Sequence, residues 1–194
     1  MLLRWLFLLV AIGGLWAQPL SLASPEEVGM SSARLARLDG VILRAIQEEE
    51  TPGAVVLVAR KGKVVYRKAF GAKSLVPHNE PVSIDTIFDV ASLTKILATA
   101  TSVMLLVEEG KLSLTDPVSV YLPRFAQNGK GTVTVLQLLT HYSGLRPDLD
   151  LDQRWEGHEV GIKRALKEEL VAPPGEAFIY SDINYIVLAE VVRQ

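Results

Sequence analysis

The chain has no cysteine, no surplus of positive charge, and no apolar run long enough to span a bilayer. Each absence excludes something. Without cysteine there are no disulfides and no thiolate metal ligands. A net charge of −2 without a basic patch argues against nucleic acid as a partner. The apolar stretch from Trp5 to Trp16 falls short of the ~20 residues a membrane-crossing helix needs. Repeats and low-complexity linkers are missing too. What is present is apolar mass: 49% of the 194 residues are hydrophobic, enough to build a core.

The N-terminal segment has Arg4, the short apolar run, and then small residues. That order predicts a secretory signal peptide over residues 1–23, cleaved near 17 or 23, with any membrane contact confined to that segment. The mature protein is therefore expected to be secreted or periplasmic.

Beyond it, Ser31 or Ser32 can cap a helix reaching about Glu50. Its apolar face is Leu35, Leu38, Ile42, Ala45 and Ile46. "AVVLVA" (Ala54–Ala59), a turn at Arg60–Lys63, and "VVYRKAFG" (Val64–Gly71) predict a β-hairpin. The first strand is apolar on both sides, so helices are expected over both sheet faces. A helix is expected from Ser92 to near Gly110, buried because it is almost wholly apolar. A Thr134/Gln137 capping box opens a short helix. Another helix is expected from Glu159 to Val171, and a last one follows Tyr180. That last helix is still in mid-pattern at Gln194, and one hairpin makes a poor sheet. The reading is of a protein cut short.

The chemistry starts at "ASLTKILATA" (Ala91–Ala100). Residues three apart share a helix face, so Lys95 can reach the Ser92 hydroxyl. A cation near a helix N-terminus is unfavourable by about 0.3–1 kcal/mol. Desolvation and the helix dipole lower such a lysine's pKa and suit it to act as a general base. The positive helix end also favours the oxyanion formed when Ser92 attacks a carbonyl. Tyr180 in "YSD" is the candidate second proton carrier, since a phenolate is useful beside a cation.

Five segments in order carry a family resemblance: Pro52–Gly71, "FDVASLTK" (Phe88–Lys95), "GKLSLTDPVSVYLP" (Gly110–Pro123), "LLTHYSGL" (Leu138–Leu145) and "PPGEAFIYSDINY" (Pro173–Tyr185). Together they resemble the serine β-lactamase and penicillin-binding family. The likeness is to the branch of class C β-lactamases, D-alanyl-D-alanine carboxypeptidases and related esterases, over its N-terminal part only. The resemblance implies an α/β fold of α+β type, an antiparallel sheet flanked by helices plus a helical subdomain, here with an incomplete sheet. It implies a hydrolase domain over residues 24–194 lacking its C-terminal part. It makes Ser92 the acylated nucleophile, Lys95 its base partner, and Tyr180 the proton donor to the leaving group. Asp182 falls where the second motif often has asparagine. An ionised aspartate cannot donate to a substrate amide, so this departure weakens a β-lactam or peptide substrate and leaves an ester open. An Asp182–Lys95 ion pair would hold the lysine charged.

The family's third motif, of K-T-G or H-x-G type, is not found after Tyr180. "WEG" (Trp155–Gly157) has a similar spelling in the wrong place. A Ser-His-Asp hydrolase would need G-x-S-x-G, and Ser143 in "HYSGL" lacks the first glycine. The resemblance makes His141 structural. "HE" at His158–Glu159 lacks the second histidine of a zinc site. The expectation is an exported serine hydrolase without metal or cofactor, acting on a small molecule or peptide with an ester, amide or β-lactam carbonyl. The rival is a non-catalytic penicillin-recognising module, and the chain by itself is expected to be inactive.

Overall fold

The computed structural model describes residues 19–150 and 154–194, so most of the expected signal segment lies outside the described residues. The chain divides into two compact units, residues up to Phe88 and from Asp89 onward.

The first unit carries the sheet. Strand β1 (Ser21–Leu22) is followed by helices α1 (Ser32–Leu35) and α2 (Arg37–Gln47), then by β2 (Gly53–Arg60), β3 (Lys63–Ser74) and β4 (Glu80–Pro81). The order is β1-β3-β2, with β4 pairing to the far end of β3. The hairpin β2–β3 is antiparallel, Gly53 opposite Gly71 and Arg60 opposite Lys63. Lys61 and Gly62 both take positive φ, the primed two-residue turn whose twist matches the strands. Strand β1 joins β3 in parallel, which makes the sheet mixed. Ser21 and Leu22 are therefore sheet residues; cleavage near 17 would keep this strand and cleavage near 23 would remove it.

The expected first helix is two pieces. Ser31 caps α1 by accepting from the Arg34 amide at 3.3 Å, and the chain bends at Ala36 before α2. The five predicted face residues are half-buried, and so is Asp39 beside them. Asp39 joins α2 to β3, accepting from the Tyr66 hydroxyl at 2.5 Å and pairing with Lys68 at 2.6 Å. Burial, with the Asp39 bond and charge, pushes the Tyr66 phenol up to about 12. Among the described residues, cover on both faces of β2 is not found: Leu57 stays 52% exposed. The reason is pairing geometry. Leu57 sits opposite Arg67, and alternation turns that pair away from the face where Tyr66 and Lys68 meet α2.

The second unit is helical. A π-helical stretch, Lys95–Ala100, runs into α3 (Thr101–Glu108); α4 (Val135–Leu139), α5 (His158–Lys167) and α6 (Asp182–Arg193) follow. The capping box on α4 is present in both directions, at 3.2 and 3.0 Å. Val103, Phe125, Val135, Leu138, Ile183 and Leu188 lie at the centre of the core. Two expectations change here. The helix after Ser92 is not buried: Val103 is, but Leu93, Ile96, Leu97 and Met104 are 46–66% exposed. And α5 ends at Lys167 instead of Val171. Gln127 and Asn128 donate to the carbonyls of Leu166 and Lys167 at 2.8 and 2.7 Å, and the buried Lys130 amine donates to that of Glu168. These side chains satisfy the helix's last acceptors, and Glu168 turns to extended backbone.

Candidate active site

Ser92 sits on a tight turn. The Lys95 amide bonds back to the Ser92 carbonyl, and the Asp89 carboxylate accepts from the Ala91 amide at 2.7 Å. Ala91 has φ +43°, a conformation that costs an alanine free energy and that clusters at functional sites. Past the turn, the Thr101 hydroxyl donates to the Ile96 carbonyl five residues back. The π-helical backbone of Lys95–Ala100 is of a kind frequent at functional sites.

The predicted couple forms. Lys95 Nζ lies 3.2 Å from Ser92 Oγ. Tyr180 Oη, 88 residues away in sequence, lies 2.9 Å from the same Oγ. Lys95 Nζ also stands 5.2 Å from the centre of the Tyr180 ring and 5.8 Å from that of Tyr185. Asp182 Oδ1 pairs with Lys95 Nζ at 2.6 Å.

These contacts reverse one expectation. Burial does pull the Lys95 pKa down, but the bonds and charges of Asp182 and Tyr180 outweigh it and hold the ammonium above its ordinary value. The pKa that falls is that of Tyr180, through its hydrogen bond with Ser92 and then the bond and charge of Lys95. In the resting site the lysine is a fixed cation and the phenol is the group poised to give up a proton.

A short loop holds the phenol. The Ile179 amide donates to the His141 carbonyl at 2.9 Å, and the Ser181 amide donates to His141 Nδ1 at 3.0 Å. The Ser181 hydroxyl donates to the Arg146 carbonyl, and the Asp182 amide to that of Pro147, both at 2.7 Å. Gly144 closes the seam at the other end. Its carbonyl accepts from the Val171 amide at 2.8 Å, and a Cβ there would lie 2.0 Å from the Ala172 carbonyl oxygen. Its φ of +81° suits glycine for the same reason.

His141 is the turn histidine expected, nearly buried, with φ +62°. Ser143 is buried and donates to Asn184 at 2.6 Å. His158 approaches Glu190 at 3.7 Å, and Trp155 packs beside Gly161 on α5. Sequence reasoning missed Tyr185, whose ring lies 5.3 Å from that of His141. Its signal was the i, i+3 spacing from Asp182, which puts both on one face of α6. Ser92, Lys95 and Tyr180 line a cleft of about 510 Å³ whose other walls include Val90, Leu93 and Ile96, so it is mostly apolar.

The comparisons follow this geometry. A Salmonella typhimurium protein provisionally named a D-alanyl-D-alanine carboxypeptidase is 30% identical over 193 residues, 90% of this chain and 44% of its own length. A crystal structure of a class C beta lactamase superposes with a TM-score of 0.70 at 28% identity, over 83% of this chain and 44% of that one. EstCE1, a hydrolase with promiscuous acyltransferase activity, superposes with a TM-score of 0.65 at 31% identity, over 82% and 47%. The chain thus spans less than half the length of these relatives. The Beta-lactamase family profile matches residues 38–194, and with the serine, lysine and tyrosine brought together the conclusion is direct: the chain belongs to the Beta-lactamase family.

Proposed function

We propose that the protein is an exported serine hydrolase that works through an acyl-enzyme. The observation that carries this is the double approach to Ser92 Oγ, 3.2 Å from Lys95 and 2.9 Å from a tyrosine 88 residues away. The Ser92 proton passes to the Tyr180 phenolate as Oγ bonds to the substrate carbonyl carbon. The tetrahedral intermediate collapses, the bond to the leaving group breaks, and Tyr180 returns the proton to that group. Water then gives a proton to Tyr180 and attacks the acyl carbon; Ser92 leaves with the proton and the acid is released. Lys95 stays charged throughout and stabilises the phenolate between steps.

The apolar cleft and the Asp182 carboxylate favour a neutral ester with an apolar acyl group over an anionic peptide or β-lactam. The relatives named for peptide and β-lactam chemistry keep those carbonyls as the alternatives. One observation favours a second reading, a penicillin-recognising module that acylates without turning over: the Asp182–Lys95 pair fixes the lysine and leaves deacylation to Tyr180 alone.

The test uses the full-length natural protein with a chromogenic ester and a chromogenic cephalosporin, followed by intact mass. Repeated turnover that disappears in Ser92→Ala supports the hydrolase. A single stoichiometric burst supports the module, and absence of any Ser92 adduct rejects both.

A further inference from the structure

His141 is not needed by the proton transfers above, yet it meets the phenol's ring and two amides of the turn that carries it. Its ring stacks on Tyr180 at 4.5 Å between centres with a 30° tilt. Its carbonyl and its Nδ1 each take an amide of the Tyr180 turn, those of Ile179 and Ser181. The Asn184 amide, anchored by Ser143, lies 3.4 Å from the same nitrogen. An Nδ1 that accepts from a backbone amide carries no proton, so the ring is the neutral tautomer with its hydrogen on Nε2.

We infer that His141 is a positioning residue whose neutral imidazole holds Tyr180 against Ser92, so that protonating this ring uncouples the phenol from the nucleophile. The inference rests on the acyl-transfer reading for its consequence in rate, but not for its geometry. Protonation puts a hydrogen on Nδ1, which then faces the Ser181 amide donor to donor. The buried amide loses its acceptor, and the turn carrying Tyr180 must shift. A displacement of about 1 Å at a reacting group can cost a hundredfold in rate.

The surroundings agree. Burial, then the Lys95 charge, pulls the His141 pKa below its ordinary value, with Asp182 opposing. Lys95 on the π-helical stretch, Asp182 and Tyr185 on α6, and Tyr180 are the titratable groups that face the ring; Lys95 alone among them repels the imidazolium. Charging the ring is thus disfavoured in the working site and brought about by acid.

The experiment measures labelling of Ser92 by a fluorophosphonate against pH, in the full-length natural protein, with imidazole ¹⁵N spectra alongside. Two variants separate packing from acceptance. His141→Asn keeps an acceptor at the Nδ1 position and tolerates positive φ, but does not titrate. His141→Leu removes the acceptor. In the wild type, log rate should fall with slope two below the His141 pKa, from Tyr180 and His141 together. The Asn variant should stay within about threefold of wild type at neutral pH and fall with slope one. The Leu variant should lose tenfold or more at neutral pH and fall with slope one, so that its deficit against wild type closes in acid.

Equal slopes in wild type and His141→Asn, or full labelling of His141→Leu, would overturn the inference. So would spectra showing the proton on Nδ1 at neutral pH, whatever the labelling does. If wild type gives no Ser92 adduct, the hydrolase reading fails; a neutral Nε2–H ring whose Ser181 amide resonance shifts on protonation still supports the positioning role.

Discussion

Replacing Asp182 with asparagine tests the electrostatics of the site most directly. The pair is 2.6 Å long, with the Lys95 side chain 16% exposed and that of Asp182 45% exposed. Coulomb's law gives about 1.6 kcal/mol at that distance in water and about 6 kcal/mol at an effective dielectric of 20. Nearly half of the carboxylate side chain is wet, so solvent screening puts the net value near the lower figure. At about 1.4 kcal/mol per pKa unit, Asp182→Asn should lower the Lys95 pKa by roughly one unit.

The expected readout is kcat/KM for a short p-nitrophenyl ester between about pH 5 and 11. The acid limb reports Tyr180 becoming a phenolate and the basic limb reports loss of the Lys95 ammonium. In the variant the basic limb should move down by about one unit. The acid limb should move down less, because the Asp182 charge is the weakest influence on Tyr180 and acts to raise its pKa. Stability follows the same linkage. The folded Lys95 pKa lies above its unfolded value, so the pair's contribution is complete below the unfolded pKa and vanishes as pH rises through the folded one. The variant should melt lower than wild type at neutral pH and alike at strongly alkaline pH. A basic limb that stays in place, or moves upward, would refute the assignment of Lys95 as a cation held by Asp182.

Four other outcomes are expected. Lys95→Ala should abolish Ser92 acylation, by a thousandfold or more in rate if it acts with Ser92 and Tyr180 as a unit, while circular dichroism stays unchanged. Tyr66→Phe should destabilise by about 1 kcal/mol in urea melts, since Asp39 loses a part-buried hydrogen bond while keeping Lys68. The wild-type contribution of Tyr66 should be complete below pH 10 and lost as pH climbs toward its folded value of about 12, visible as a late-titrating phenol at 295 nm. On the export reading, the processed protein should begin at about Gln18 by N-terminal mass analysis, keeping the Ser21–Leu22 strand; a start at Ser24 would contradict this. The 194-residue chain expressed alone should bind a hydrophobic dye through Leu93, Ile96, Leu97 and Met104, and changing Leu97 to glutamate should weaken that signal.

Much of this was written in local pattern. The apolar run Ala54–Ala59 and the turn at Arg60–Lys63 announced the hairpin, and Thr134 with Gln137 announced α4, because those signals are satisfied within a few residues. Ser92 and Lys95 were legible for the same reason, one helical turn apart. The misreadings came from distance. The end of α5 is set by Gln127, Asn128 and Lys130, some forty residues upstream, which no helix-stop signal in residues 159–171 could reveal. The seat of Tyr180 depends on His141, whereas the Asp182–Lys95 pair was already among the expectations and is made. Burial of the Ser92 helix was inferred from its apolar composition, and composition does not say which flank meets a neighbour.

Gly144 leaves the seam beneath the phenol no slack at all. A single methyl group there would wedge two loops apart like a pebble in a door hinge, and the door carries Tyr180. Damage to the proposed chemistry need not fall anywhere near Ser92; one carbon atom in a backbone crossing would displace the phenol while Ser92, Lys95 and Tyr180 all remained in the sequence.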